Sequence, residues 1–77
     1  MSKLARLTPN ELIRLLEKLG FQKTRQKGSH LRFAHPDGRK TTVPLHSGKE
    51  IGPGLLNKIV KKDLLLTREE FEKLATN

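Results

Sequence analysis

The sequence has 77 residues, which suits one small domain spanning residues 1–77. It contains no cysteine, so neither a disulfide nor a thiolate metal site can reinforce its small core. Sixteen Lys and Arg against eight Asp and Glu give a net charge of +8, which favours a polyanionic partner such as nucleic acid. No apolar run approaches the ~20 residues that span a membrane, and the N-terminus lacks the apolar stretch of a signal peptide. We therefore expect a cytoplasmic protein.

The first predicted element is a helix that begins after Thr8. Thr8 as N-cap, Pro9 at the first helical position and Glu11 at the third form a capping box. One apolar face at helical spacing follows, made of Leu12, Leu15, Leu16 and Leu19. Gly20 comes where a left-handed residue commonly ends a helix. The sequence predicts that this helix packs on the core.

Two strands are predicted next. Residues 21–27 are polar and basic, which is typical of an edge strand. Residues 30–35 alternate, so Leu31 and Phe33 would face the core. The same alternation predicts that His30 lies on the open face of the sheet.

A third strand follows a tight turn. Pro36, Asp37 and Gly38 favour a three-residue hairpin with Gly38 in the left-handed region. This turn pairs His35 with Arg39, which brings Val43 opposite Leu31 on the core side. His35 has core-side parity, but its place at the turn leads us to expect an exposed side chain. The third strand should end near Pro44 or be an edge there, because proline cannot donate to a ladder.

Two more helices complete the predicted fold. Pro53 suits the first turn of the second helix, whose apolar stripe is predicted as Leu55, Leu56, Ile59 and Val60. Thr67 and Glu70 form another capping box before a short C-terminal helix. The predicted class is α+β: a three-stranded antiparallel sheet with helices packed on one face, in the order α-β-β-β-α plus a short C-terminal helix.

His30 is the candidate catalytic residue. It follows a glycine and a serine, it should project away from the core, and cations surround it. Histidine suits proton transfer near neutral pH, so it could deprotonate a ribose 2′-OH while nearby cations stabilise the developing charge. His46 could be a second acid or base, a phosphate ligand or an ordinary loop residue. The three histidines lack zinc-ligand spacing and no carboxylate pair accompanies them, so we expect neither a metal nor another cofactor.

The residues expected to contact RNA are mainly basic and lie near His30 or after the third strand. They are Lys23, Arg25, Lys27, Gly28, Ser29, Arg32, His46 and Lys49. The lysines and Arg25 are expected to bind phosphates. The structural alternative is that cations on an edge strand only discourage pairing between sheets.

Three segments of the chain resemble the HicA family of toxins. They are Lys27-Gly28-Ser29-His30-Leu31-Arg32-Phe33, the run from Val43 to Ile51, and the helix from Leu55 to Val60. The resemblance implies a fold like that of double-stranded-RNA-binding domains. It also implies an mRNA-cleaving toxin that a HicB antitoxin neutralises, with His30 as catalytic histidine and Gly28 allowing close approach of the chain. Pro53-Gly54 looks less usual for the family and could alter the RNA-facing end of the second helix.

The predicted function is therefore metal-independent endoribonucleolytic cleavage of mRNA, restrained by an antitoxin. One alternative is a non-catalytic RNA-binding module of the same fold, which would read shape and backbone. Another is a DNA binder that uses the second helix and the helix after Thr67. The second helix lacks a clear set of base-reading side chains, which weakens this alternative.

Overall fold

A computed structural model describes residues 7–45 and 50–76. The elements are α1 (Pro9–Leu19), β1 (Gln22–Lys27), β2 (His30–Ala34), β3 (Lys40–Pro44), α2 (Pro53–Lys58), a π-helix (Ile59–Asp63) and α3 (Arg68–Thr76). The strands form one antiparallel sheet in the order β1-β2-β3. The predicted α+β class is confirmed.

The capping of α1 follows its sequence. The Thr8 hydroxyl accepts a hydrogen bond from the backbone N–H of Glu11, and the Glu11 carboxylate accepts one from the backbone N–H of Thr8. Gly20 ends the helix with φ +103°, and a Cβ added there would lie 3.1 Å from His35 Nε2. Gly20 is therefore required both by its backbone conformation and by close packing.

The register of β2 and β3 is the one predicted from the turn. Leu31 lies opposite Val43, and His30 lies opposite Pro44. The backbone N–H of Leu45 donates to the Ser29 carbonyl at 2.6 Å, so the missing donor of Pro44 falls at a pair that makes no ladder bond. The edge position of β3 thus tolerates a proline at its end.

The core lies on one side of the sheet, between the strands and the helices. Leu31, Phe33 and Val43 belong to the same buried cluster as the apolar faces of the helices. Leu55 is an exception, because it is 42% exposed although the sequence placed it in the apolar stripe of α2. That part of the prediction is wrong: burial on α2 and the π-helix is carried by Leu56, Ile59 and Val60.

The helical segment after Pro53 widens into a π-helix before it ends. The backbone N–H of Leu64 bonds the carbonyl of Ile59, and that of Leu66 bonds the carbonyl of Val60. Leu65 between them has φ +57° and is 68% exposed. A leucine therefore occupies a left-handed position where glycine is usual. The capping box at Thr67 is present as predicted, but α3 has 9 residues and is longer than the turn or two expected.

The expectation for His35 is also wrong, because its ring is partly buried against α1. Its Nε2 lies 3.1 Å from the Leu19 carbonyl, and its ring packs edge-on against Phe21 at 5.0 Å. Its Nδ1 lies 3.0 Å from both the backbone nitrogen and Oδ1 of Asp37. A carbonyl oxygen only accepts, so Nε2 carries a proton and donates to Leu19, while Nδ1 faces both the backbone N–H and the carboxylate of Asp37. His35 is therefore a structural residue.

Candidate nucleic-acid interface

His30 opens β2 directly after a two-residue turn. Lys27 and His30 are the paired residues that close this turn, and Pro44 flanks His30 on the other strand. His30 is exposed, while Leu31 after it is buried, so the imidazole projects from the open face as predicted. Its cation neighbours on this face are Lys27 across the turn and Arg32 two residues along the strand.

The turn itself depends on Gly28. Its φ is +59°, and a positive φ at the first of two turn residues is the pattern of the type II′ hairpin. A Cβ at this position would meet no atom within 4 Å. Packing within the chain therefore does not require glycine here, whereas the backbone conformation does. Gly28 and Ser29 are both exposed at the surface that the described residues form.

The strands carry the cations that the sequence assigned to RNA, but they do not bring all of them together. Arg25 lies directly opposite Arg32. A bulge at Thr24 then shifts the register, and Lys23 lies opposite the core residue Phe33. Lys23 is therefore about 10 Å along the strand from the level of His30, on the other side of the bulge. Among the described residues, Lys27, Arg25 and Arg32 form the cation group beside His30.

The sequence predicts three further RNA contacts. Ser29 sits in the turn, where its carbonyl accepts from Leu45. His46 and Lys49 lie outside the described residues.

A cleft that sequence reasoning missed lies beside this group. It has a volume of about 580 Å³ and is lined from all three strands, from α2 and from the π-helix. Arg25 and Arg32 contribute to its lining, together with Lys40 and Lys58. Lys40 and Lys58 could not be linked from the sequence, because only the folded register and the crossing of α2 bring β3 and α2 to one cleft.

The Arg39 guanidinium, in contrast, makes its contacts within the fold. Its Nε donates to Asp37 Oδ2 at 2.8 Å, one of its terminal nitrogens donates to the Leu64 carbonyl at 2.6 Å, and its guanidinium lies 5.2 Å from the Phe21 ring centroid. The Arg39 backbone N–H, which donates to Asp37 Oδ1 at 3.0 Å, is the main cause that lowers the pKa of the Asp37 carboxyl below its ordinary value of 3.8.

The comparison with protein families decides the family. The family model described as the HicA toxin of bacterial toxin–antitoxin systems matches residues 9–64, well over half of the chain. The chain belongs to the HicA toxin family. A comparison with curated proteins gives no significant match.

Membership in the HicA family makes the chain a toxin of a toxin–antitoxin system and implies a pairing with an antitoxin. The three-stranded sheet with its helices is consistent with the double-stranded-RNA-binding-domain-like fold of this family. The match runs from the start of α1 to Leu64, so it includes the turn with His30 and the cleft, while α3 lies beyond it.

Residues 7–45 and 50–76 contain neither a candidate metal site nor a candidate membrane-spanning helix. No three His, Asp or Glu side chains within these ranges are grouped so that they could hold a metal ion. None of the helices in them is long and apolar enough to cross a membrane.

Proposed function

We propose that the toxin is an endoribonuclease that cleaves mRNA in the cytoplasm, with His30 as general base and acid and without a metal ion. The observation that supports this most directly is the placement of His30. Its imidazole is exposed on the open face, at a turn that leaves space for a ligand, with Lys27 opposite and Arg32 two residues along the strand.

The reaction that suits a single exposed imidazole is transesterification within the RNA. His30 takes the proton of a ribose 2′-OH, and the 2′ oxygen attacks the adjacent phosphorus. The bond from 2′ oxygen to phosphorus forms while the bond from phosphorus to the 5′ oxygen breaks. The leaving 5′ oxygen takes a proton, which the imidazolium or solvent can supply. The products are a 2′,3′-cyclic phosphate and a 5′-OH.

Lys27 and Arg32 suit the electrostatic part of this reaction. The phosphorane-like transition state carries more negative charge on its nonbridging oxygens than the ground state does. Cations placed beside it stabilise the transition state preferentially, and this is the usual basis of rate enhancement in such sites. We propose that Lys27 and Arg32 flank the scissile phosphate and that the Gly28-Ser29 turn lets the RNA backbone approach.

The test is cleavage of a defined RNA by purified wild type and His30→Ala, each with EDTA present. We expect wild type to cut and the variant to lose about two to four orders of magnitude in rate, the range for a general base. End-group analysis should find cyclic phosphate and 5′-OH. Circular dichroism and urea unfolding of the variant serve as the folding control. An active His30→Ala, or products with a 5′-phosphate, would reject this mechanism.

One observation favours a second candidate, the non-catalytic RNA reader. No hydrogen bond to the His30 side chain occurs among the described residues, so none of these residues fixes its tautomer, whereas a catalytic histidine is commonly oriented by such a bond. The same experiment separates the two functions. A reader would protect RNA from added nuclease without cutting it, and His30→Ala would weaken binding only slightly.

A further inference from the structure

The cleft beside the sheet has an unusual charge pattern. The three strands carry five Lys or Arg residues and no Asp or Glu. The ion pairs found within residues 7–45 and 50–76 involve none of these five side chains. Arg25, Arg32 and Lys40 are exposed, and all three line the cleft.

Arg25 and Arg32 are moreover directly opposite one another in the ladder. Like charges at opposed positions destabilise a sheet, so this arrangement costs stability in the free protein. An anion bound between the two guanidinium groups would reverse the sign of that interaction. Guanidinium groups also match phosphate oxygens in geometry.

The β-bulge holds this pair in place. Thr24 is the extra residue of the bulge, and its hydroxyl lies 3.3 Å from the carbonyl oxygen of Arg32, to which it donates. The contact ties the edge strand to β2 at the position of the arginine pair. Bulges commonly re-aim side chains near functional sites.

The cleft is also lined by α2 and the π-helix. Lys58 is 57% exposed at its side chain and lies 3.8 Å from an Asp63 oxygen that also accepts a hydrogen bond from Thr41 at 2.9 Å. The one carboxylate in the lining is thus already engaged by two partners. The cleft is thus lined by four cations and one carboxylate, and Lys58 is the cation that this carboxylate contacts.

The cleft extends away from the catalytic turn. Arg32 shares its strand and face with His30, and the backbone at Ala34, which pairs with Lys40, is about 13 Å from that of His30 at the rise of a strand. The chain has no Trp or Tyr, and its three phenylalanines are all buried, so none of these rings offers the cleft a surface on which a base can stack. Phosphates are therefore the groups of a nucleic acid that the lysines and arginines of the cleft suit best.

We propose that this cleft is a second phosphate-binding site, which holds the RNA backbone beyond the phosphate that His30 acts on. The proposal rests on the proposed function and extends it to the substrate: the toxin requires RNA that reaches from the catalytic turn to Lys40 and Lys58, and recognises that part without reading its bases. A dinucleotide fills the turn alone and is a poor substrate.

The experiment compares a dinucleotide with an oligonucleotide long enough to reach the cleft. The variant is Lys40→Gln with Lys58→Gln, which removes two cleft cations and leaves the residues at the catalytic turn intact. We expect kcat/KM for the oligonucleotide to fall several-fold through KM, with kcat unchanged. The rate on the dinucleotide should stay as in wild type. The ratio of kcat/KM for the oligonucleotide to kcat/KM for the dinucleotide should therefore be smaller than in wild type.

The matched control is Lys61→Gln with Lys62→Gln, which makes the same change in net charge on exposed residues of the π-helix that do not line the cleft. This control should keep the length dependence of wild type. Equal losses in both double variants would show a general charge effect and would overturn the proposal.

Binding titrations separate this proposal from the proposed function. In a His30→Ala background, removing the two cleft lysines should lower the salt slope of oligonucleotide binding by about 0.7 for each lost phosphate contact. If wild type cut no RNA, the proposed endoribonuclease function would be rejected. This titration would still show whether the cleft binds RNA phosphates. If the lysine variant bound RNA like its parent and lost affinity only for an acidic protein partner, the cleft would be a protein site and the proposal would be wrong.

Discussion

His35, Asp37 and Arg39 hold the turn between β2 and β3 against the rest of the fold. His35 bonds the Leu19 carbonyl at the end of α1, and Arg39 bonds the carbonyl of Leu64, the first residue after the π-helix, while Asp37 bonds both His35 and Arg39. His30 and His35 lie at the two ends of one strand segment. The alternation of that strand correctly indicates that His35 faces the core, whereas its position at a turn wrongly suggests an exposed side chain.

The Asp37 carboxylate gives a prediction for the dependence of stability on pH. Its pKa is lowered in the folded state, chiefly by the Arg39 backbone N–H and also by the Arg39 guanidinium. A carboxyl with a lowered folded pKa stabilises the protein above its unfolded value of about 3.8, and this contribution is lost as the pH falls through the folded pKa. Asp37→Asn should therefore lower the free energy of unfolding at neutral pH.

The measurement is urea unfolding of wild type and Asp37→Asn at neutral pH and at several pH values below 3.8. The difference between the two proteins should shrink to nothing at the acid end. Glu17→Gln is the control, since Glu17 is an exposed carboxylate far from this turn in sequence. As the pH falls, this variant should lose as much free energy of unfolding as wild type does. A difference that is constant across the whole pH range would contradict the assignment.

At the scale of elements, the turn between β1 and β2 sets the position of His30, and Gly28 sets the turn. Gly28→Ala puts an L side chain at φ +59° without any clash, so the cost is conformational. We expect a loss of about 1–2 kcal/mol in the free energy of unfolding, the cost of the left-handed region for a residue with a Cβ. Cleavage should fall as well, since the turn positions the imidazole.

Gly54→Ala is the matched comparison. Gly54 lies in α2 with a negative φ, and an added Cβ would meet nothing within 4 Å. Alanine there should raise the free energy of unfolding by roughly 0.5–1 kcal/mol, because glycine in a helix carries an entropic cost. Equal effects of the two substitutions, measured by urea unfolding, would rule out the conformational account of Gly28.

The elements that local chemistry specifies could be predicted from the sequence. Both capping boxes, the left-handed Gly20 and the register of β2 with β3 follow from residues within a few positions of each other. The bulge at Thr24 and the π-helix could not be predicted, because tertiary packing selects them. The exposed left-handed Leu65 carries no glycine signal at all.

The candidate site divides in the same way. The exposure of His30 and its nearness to Lys27 and Arg32 follow from alternation and from a two-residue turn. The separation of Lys23 from this group depends on the bulge, and the contribution of Lys58 depends on how α2 crosses the sheet. Neither is encoded in a short stretch of sequence.

For the whole molecule, the net charge of +8 is unevenly placed. The strands hold five cations without one carboxylate, whereas the described acidic residues lie on helices and in turns and loops. The field of such a surface speeds the approach of a polyanion and repels basic proteins. The same cations would bind either RNA or an acidic protein partner, so two ligands that use this face should compete for it.

This competition is the prediction for the antitoxin that family membership implies. We propose a HicB-like partner that presents acidic residues to the open face and covers His30, Lys27 and Arg32. Complementary charge should raise its association rate at low salt, while the residence time should depend on apolar contacts at the interface and vary little with salt. His30→Ala should bind this partner almost as tightly as wild type, because Lys27, Arg32 and the other strand cations, which carry the charge of the face, remain in the variant.

The measurement is a competition experiment with labelled RNA and the His30→Ala toxin, which holds RNA without cutting it. Adding the partner should release the RNA fully, and the partner concentration needed should rise in proportion to the RNA present. Stopped-flow association at several salt concentrations then tests the electrostatic part. A ternary complex of toxin, RNA and partner would place inhibition away from the open face, because two polyanionic ligands cannot occupy the same cations at once.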